Sequence, residues 1–188
     1  MNYTEKIKNY KPFNIQEKKD QELMMTFIEN FHDLLSRENS IAHFTSSGYI
    51  VNKERTKVLM IFHKIYNSWS WTGGHCDGDD DFLHVALKEA KEETGINHIK
   101  VISEDIASLD VLTVDGHVRK GEYVASHLHL NVTYLLEGDE EEELVLNEDE
   151  TKGVKWIPID EIDKYSTEPY LIKLYNKLNL KLKDYPNP

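Results

Sequence analysis

Cysteine is all but absent from this chain. Cys76 is the only one in 188 residues, which excludes an internal disulfide framework and fits a reducing compartment, so a cytoplasmic location is expected. Positive charge is also in deficit: 22 lysines and arginines face 34 acidic residues, a net charge of -12. That sign disfavours broad binding to nucleic acid polymers or anionic membranes. No apolar run is long enough to span a bilayer, no signal-peptide pattern is visible, and no internal repeat suggests a solenoid. The chain does have the material for a substantial core: 39% apolar residues, with ten tyrosines and three tryptophans, suit a single globular unit of this length.

The run Gly73 to Ile96, GGHCDGDDDFLHVALKEAKEETGI, carries the chemistry. From about Asp80 to Thr94, the residues Phe82, Leu83, Ala86, Leu87 and Ala90 recur every three or four positions, which predicts a helix with one buried face. Glu89, Glu92 and Glu93 stand at i, i+3 and i+4 and share a stripe beside it. Like charges at this spacing cost a few tenths of a kcal/mol per pair, and a bound cation would reverse that sign. Carboxylate oxygens suit hard ions such as Mg2+ or Mn2+. Gly73 and Gly74 leave the preceding turn free of side chains, so backbone can approach an ion or a phosphate. Asp79, Asp80 and Asp81 suit a helix start through capping and the macrodipole.

The spacing of Gly74, Glu89, Glu92, Glu93, Gly95 and Ile96 resembles the Nudix box. With glycine at about 7% and glutamate at about 6% usage, the five Gly and Glu matches arise by chance in about one window in a million. Two positions depart from the pattern while keeping the charge: Asp80 stands where glutamate is usual and Lys88 where arginine is usual. A lysine ammonium does not reproduce the planar fork of arginine. Trp69, Trp71, Thr72, Gly73 and Gly74 resemble the family's lead-in, with Thr72 in place of its proline.

The resemblance implies an α/β Nudix fold, a mixed β-sheet sandwiched between α-helices, and hydrolysis of a diphosphate linkage in a nucleoside di- or triphosphate or another nucleotide-linked diphosphate. It implies that Glu89, Glu92 and Glu93 hold Mg2+ or Mn2+ with the Gly73 carbonyl, that Glu89 is a metal ligand or the general base, and that Lys88 positions it. A further acidic ligand is expected before a terminal strand containing tryptophan. Glu148, Asp149 and Glu150 precede Val154 to Pro158 in that arrangement, with Glu150 preferred and Glu148 next. The expected partner is a small phosphorylated substrate. Markers of particular substrate groups are missing: no proline follows the box before Pro158, and Val111, Leu112 and Thr113 occupy the region where dinucleoside polyphosphate hydrolases tend to place a tyrosine.

Two rival readings come from other classes. A non-catalytic module that senses a nucleotide or supports a partner is motivated by Asp80 and Lys88, and opposed by the intact glutamates. An isopentenyl diphosphate isomerase is suggested by the Gly74-His75 pair, yet the cysteine that enzyme needs before the pair is Gly73 here, and Cys76 lies beyond it.

The segment Gln16 to Arg37 carries Leu23, Phe27, Ile28, Phe31, Leu34 and Leu35 at helical spacing, predicting an N-terminal helical extension over 1–40 that packs on a Nudix domain over 41–188. Its apolar stripe would equally cover the cleft or form a homodimer, with intramolecular packing the default. Strands are expected at Ile41–Asn52, Lys57–Tyr66, Ile99–Ile102, Ala107–Val114, Tyr123–Leu136 and Val154–Ile157, and a helix over Glu168–Lys181. The acidic run Glu140–Glu143 reads as a solvated loop. Within Tyr123–Leu136, Leu128, Leu130, Val132 and Tyr134 alternate with His127, His129, Asn131 and Thr133, so one face is core and the other polar. Turned into the cleft, His127, His129 and Asn131 would contact phosphate, ribose or base; turned outward, they meet water. His127 and His129 form a His-x-His pair able to bind a transition metal, but no third ligand stands at an evident spacing, so zinc is disfavoured. His75, in the box loop, is the better substrate contact than His84.

Overall fold

The computed structural model describes residues 2–64, 67–119, 121–147 and 151–185. Two helices lead, α1 (Tyr3–Asn9) and α2 (Ile15–Asn30), followed by strands β1 (Ala42–Val51), β2 (Lys57–His63), β3 (Ser68–Ser70) and β4 (Thr72–His75). The box helix is α3 (Phe82–Thr94). After it come β5 (Ile99–Val101), β6 (Ser108–Val114), the hairpin of β7 (His117–Arg119) and β8 (Glu122–Val124), β9 (His127–Gly138) and β10 (Thr151–Pro158). A 3-10 turn (Ile159–Glu161), short α4 (Ile162–Tyr165), α5 (Pro169–Lys181) and a second 3-10 turn (Leu182–Asp184) follow.

Eight strands form a mixed sheet. Its main path runs β10-β2-β1-β9-β5, with β3 on β2, β4 on β1 and β6 on β9. The central pair β1 and β9 is parallel, from Ala42 opposite Leu128 to Val51 opposite Glu137. Two-residue alternation divides this pair into two faces. Phe44, Ile50, Leu130, Val132, Tyr134 and Leu136 are buried together with Phe82, Val85, Ala86 and Ala90 of α3. On the other face, Tyr49, Val51 and Leu135 pack with Leu174, Tyr175 and Leu178 of α5. The sheet is therefore sandwiched between helices, as the family resemblance implies.

Most strand bounds fall within a few residues of expectation, and the N-terminal region differs. The predicted helix to Arg37 stops at Asn30, where Phe31 turns extended. Asp33, Ser36 and Asn39 then hydrogen-bond within the turn: Ser36 N–H donates to the Asp33 carbonyl and the Asn39 amide to the Asp33 carboxylate. Such local bonds compete with helix. They swing fully buried Leu34 into the core beside β1, whose Phe44 N–H donates to the Leu34 carbonyl at 2.7 Å. Unforeseen were α1, the short strands β3 and β7, α4, and the break at Ala125 and Ser126 that separates β8 from β9; the expected turn at Gly73 and Gly74 is instead strand β4, paired with β1. The acidic run is not free loop either: Glu142 accepts hydrogen bonds from the backbone N–H of Asn97 and His98, tying down the segment after α3.

Ile7, Met24 and Leu34 share the α3-side core with residues of the sheet. Polar contacts hold them too. Glu17 is fully buried and accepts from Lys181, from the Ser108 hydroxyl at 3.0 Å, from the Tyr10 hydroxyl at 2.6 Å and from Phe13 N–H at 2.7 Å. Buried Asp110 accepts from Lys177 and from the Gln16 amide at 3.0 Å. Burial opposes ionisation of Glu17, but Lys177, Lys181 and its hydrogen bonds outweigh it and hold the carboxyl below its ordinary value. This cluster joins α2, β6 and α5. Replacing Glu17 with alanine strands Lys181 among buried groups, while Lys177 keeps Asp110, and is expected to cost about 3–5 kcal/mol, measured as the shift in urea-unfolding free energy.

Candidate active site

The box helix is set by its ends. The Asp81 side chain accepts from His84 N–H at 3.3 Å as N-cap, and Gly95, at φ 73°, closes the helix in the left-handed region. Between these caps α3 lies against β1 and β4, its Phe82 carbonyl accepting from the buried Ser46 hydroxyl at 2.6 Å.

Contact with β4 is close enough to require glycine. A Cβ on Gly74 would stand 2.4 Å from the Glu89 carboxyl carbon, and one on Gly73 would stand 2.5 Å from the Ser47 hydroxyl. Glu89 therefore rests on bare backbone. Glu93 is 3% exposed and accepts a 2.9 Å hydrogen bond from Gly73 N–H, which fixes the helix relative to the strand. Lys88 reaches Glu89 at 3.4 Å and Glu92 at 3.8 Å, and these carboxylates raise its pKa, Glu89 foremost. Glu92 is exposed on the outer turn. The three carboxylates do not converge as one tight group among the described residues; each is held by its own partner or by solvent. Asp79 pairs with the exposed His84. Cys76 is buried in the α3-side core, and burial pushes its thiol well above the ordinary range.

The polar stripe of β9 faces inward. His129 opposes His43 of β1, and Asn131 opposes Thr45, which on its other side opposes His75 of β4. Opposed residues share a face, so these side chains lie on the side of the sheet away from α3. Asn131 is buried: its carbonyl oxygen accepts from the Thr45 and Ser47 hydroxyls at 2.9 and 2.8 Å, and its amide donates to Thr133 at 3.0 Å. It thus sits in a complete network, directly behind the histidines. His127 Nε2 lies 3.2 Å from His129 Nε2. The rings of His43, His75, His127 and His129 gather with most centroid separations near 5 Å. Among the described residues, His43, His75 and His129 form a group whose ligand atoms all lie within 4.8 Å of one another. Burial, aided by Arg37, holds the His75 imidazole down at about 3. Burial, with the neighbouring histidines, holds His129 at about 2.

The expected site residues thus fall into two groups on opposite faces of the sheet. Lys88, Glu89, Glu92, Glu93 and the Gly73 backbone stand at the α3–β4 contact; His75, His127, His129 and Asn131 stand on the far face. Glu148, Asp149 and Glu150 lie outside the described residues. His43 was not foreseen. In the sequence it is one position in a strand, and only the parallel pairing of β1 with β9 brings it to His129.

A model of the NUDIX domain matches residues 42–178, and the chain belongs to that family. Solved structures with the same fold include a C. elegans Ap4A hydrolase binary complex, 20% identical, covering 76% of this chain and 98% of that one at a TM-score of 0.56. A NUDIX-family hydrolase from Clostridium perfringens is 23% identical over 73% of this chain and 97% of its own, at a TM-score of 0.52. The NUDIX domain of Shewanella oneidensis NrtR, complexed with ADP ribose, is 13% identical over 84% and 97%, also at 0.52. No match is found among curated proteins. No helix among the described residues is long and apolar enough to cross a membrane.

Two outcomes follow from this packing. Gly74→Ala is expected to destabilise the fold by about 1–3 kcal/mol through overpacking against Glu89. Combining it with Glu89→Ala should recover part of that loss in a double-mutant cycle read by urea denaturation. The second concerns pH. Unfolded, His75 and His129 protonate near 6.5, whereas folded they stay neutral until about 3 and about 2. The unfolded state therefore binds more protons below 6.5, and stability falls as pH falls. The expected loss is on the order of 1 kcal/mol per histidine per pH unit, measured between pH 7 and pH 5 with a chelator present; stability that does not change over that range contradicts it.

Proposed function

We propose that the protein is a metal-dependent pyrophosphohydrolase that cleaves the diphosphate linkage of a nucleoside di- or triphosphate or of another nucleotide-linked diphosphate. The observation that carries this reading is the seating of Glu89 and Glu93 against the bare backbone of Gly73 and Gly74, with Lys88 bridging Glu89 and Glu92. The donors here are carboxylate and carbonyl oxygens, the chemistry that Mg2+ or Mn2+ selects, so the residues fit the ion the family generally uses. Glu89, Glu92, Glu93 and the Gly73 carbonyl would hold it, and Glu150 is proposed as a further ligand. When bound, such an ion offsets the charge of the diphosphate and acidifies the attacking water.

The chain's own groups do the remaining work. Glu89 would serve either as a metal ligand or as the general base that takes a proton from water, and Lys88 would orient it through its ammonium. The bond from Gly73 N–H fixes Glu93 and keeps the helix in register with β4. Glu92 stays exposed, where it can follow the ligand as it enters. His75, His127 and His129 form the polar end of the opposite face, proposed to meet the phosphate, ribose or base, with Asn131 bracing the strand behind them. Residues 1–40 are proposed as an extension packed on a catalytic domain over 41–188. The protein is proposed to work in the cytoplasm. The isomerase alternative lacks support, because Cys76 is buried and its thiol is held protonated.

The test is release of phosphate or pyrophosphate from nucleoside triphosphates, nucleotide sugars, dinucleoside polyphosphates and coenzymes, with Mg2+ or Mn2+. Wild type should turn over at least one class, and Glu93→Gln should abolish it. Lys88→Met should lower kcat by about 10- to 100-fold, and Lys88→Arg should restore it. Metal-dependent ligand binding without release by the wild type would instead identify a sensing module.

A further inference from the structure

A second group of metal-binding side chains lies on the sheet face away from the glutamates, and its chemistry differs. His43 from β1, His75 from β4 and His129 from β9 direct nitrogens to within 4.8 Å of one another. We propose that these three imidazoles form a binding site for a divalent late-transition-metal ion, of which Zn2+ is the representative, distinct from the oxygen-donor site at α3.

Four observations support the site. First, the nitrogens come from three strands whose register is fixed by the sheet, so the cluster is built into the scaffold rather than carried on a loop. Second, the Nε2 of His43 is buried and has no hydrogen-bond partner. An orphaned buried polar atom is costly, and a bound cation resolves it here, where two further imidazoles stand beside it. Third, His43 Nδ1 lies 2.9 Å from the Asn39 carbonyl. That contact places the proton on Nδ1 and leaves Nε2 as a lone pair, the arrangement by which protein backbone orients metal-binding histidines. His127 shows the same device, with Nδ1 2.8 Å from the Ala125 carbonyl. Fourth, His127 Nε2 stands 3.2 Å from His129 Nε2, close to the roughly 3.3 Å that separates two nitrogens on one tetrahedral zinc with bonds of about 2.0–2.1 Å. His127 is thus available as a fourth nitrogen.

The donor set selects the ion. Neutral imidazole suits zinc, copper and nickel, whereas Mg2+ prefers oxygen. With three protein nitrogens bound, a tetrahedral ion keeps one position open to His127, to water or to an anionic oxygen. This site stands whether or not the glutamates carry out hydrolysis.

The experiment uses the full chain stripped with chelator, titrated with Zn2+ by calorimetry in excess Mg2+, and in parallel with Co2+ followed by visible absorption. The expected result is one Zn2+ per chain and the intense visible bands of tetrahedral, nitrogen-bound cobalt. His43→Ala and His129→Ala should each weaken binding at least tenfold, and Glu93→Gln should change it less than twofold. Zinc binding that survives both histidine substitutions but is lost in Glu93→Gln would assign the ion to the α3 site and overturn the proposal, as would the absence of stoichiometric binding. Because His43 is buried, its variant is used only if its far-ultraviolet dichroism matches wild type. The wild-type cobalt spectrum decides independently, since weak octahedral bands overturn the site. Loss of turnover with zinc binding intact would bear on the hydrolase reading alone.

Discussion

The α3–β4 contact depends on the absence of one side chain and on one backbone bond. Gly74 lets the box helix approach until the Glu89 carboxyl lies against it, Glu93 binds the N–H of Gly73, and the bare Gly73 in turn lets β4 lie close against Ser47 of β1. That approach gives the helix a fixed height and rotation on the sheet. The hydrogen bond from Ser46 to the Phe82 carbonyl fixes the other end of the same helix. A short, capped helix held at both ends is a rigid platform, and rigid platforms place carboxylates better than loops do.

The sheet itself serves two purposes through one alternation. On the α3 side it is apolar and close-packed. On the other side, β1, β4 and β9 present a polar ladder that runs from the histidines through Thr45, Asn131 and Ser47. This ladder meets Ser108 and Asp110 on β6, where Glu17, Lys177 and Lys181 complete a buried charge cluster. Such a cluster adds little net stability compared with apolar packing, but it is costly to break and it sets a unique arrangement of α2, β6 and α5. The N-terminal extension is thereby committed to one position by polar bonds as well as by Ile7, Met24 and Leu34.

The box departures take on a physical meaning in this setting. Lys88 stands beside the helix, in contact with both Glu89 and Glu92. A point charge between two carboxylates relieves their repulsion, as an arginine would, but without the two parallel bonds that fix a carboxylate's orientation. Asp80 precedes the N-cap, outside the helix proper, where a shorter acid still favours the positive end of the dipole.

The sequence by itself determined the box helix, its acidic start and the line of Glu89, Glu92 and Glu93, because helical periodicity and capping are local. It determined the core alternation of β9 and the bounds of β1, β2, β6 and α5 for the same reason: period and turn residues act over a few positions. It misjudged the end of α2, where Leu34 and Leu35 keep helical spacing although hydrogen bonds of Asp33, Ser36 and Asn39 turn the chain. Only the tertiary structure decided what faces what. His43, His75 and His129 are far apart along the chain and meet because β1 pairs with β9 in parallel and with β4 in the opposite sense. Strand register is a long-range choice made by packing, so the histidine cluster has no signature in any local stretch of sequence.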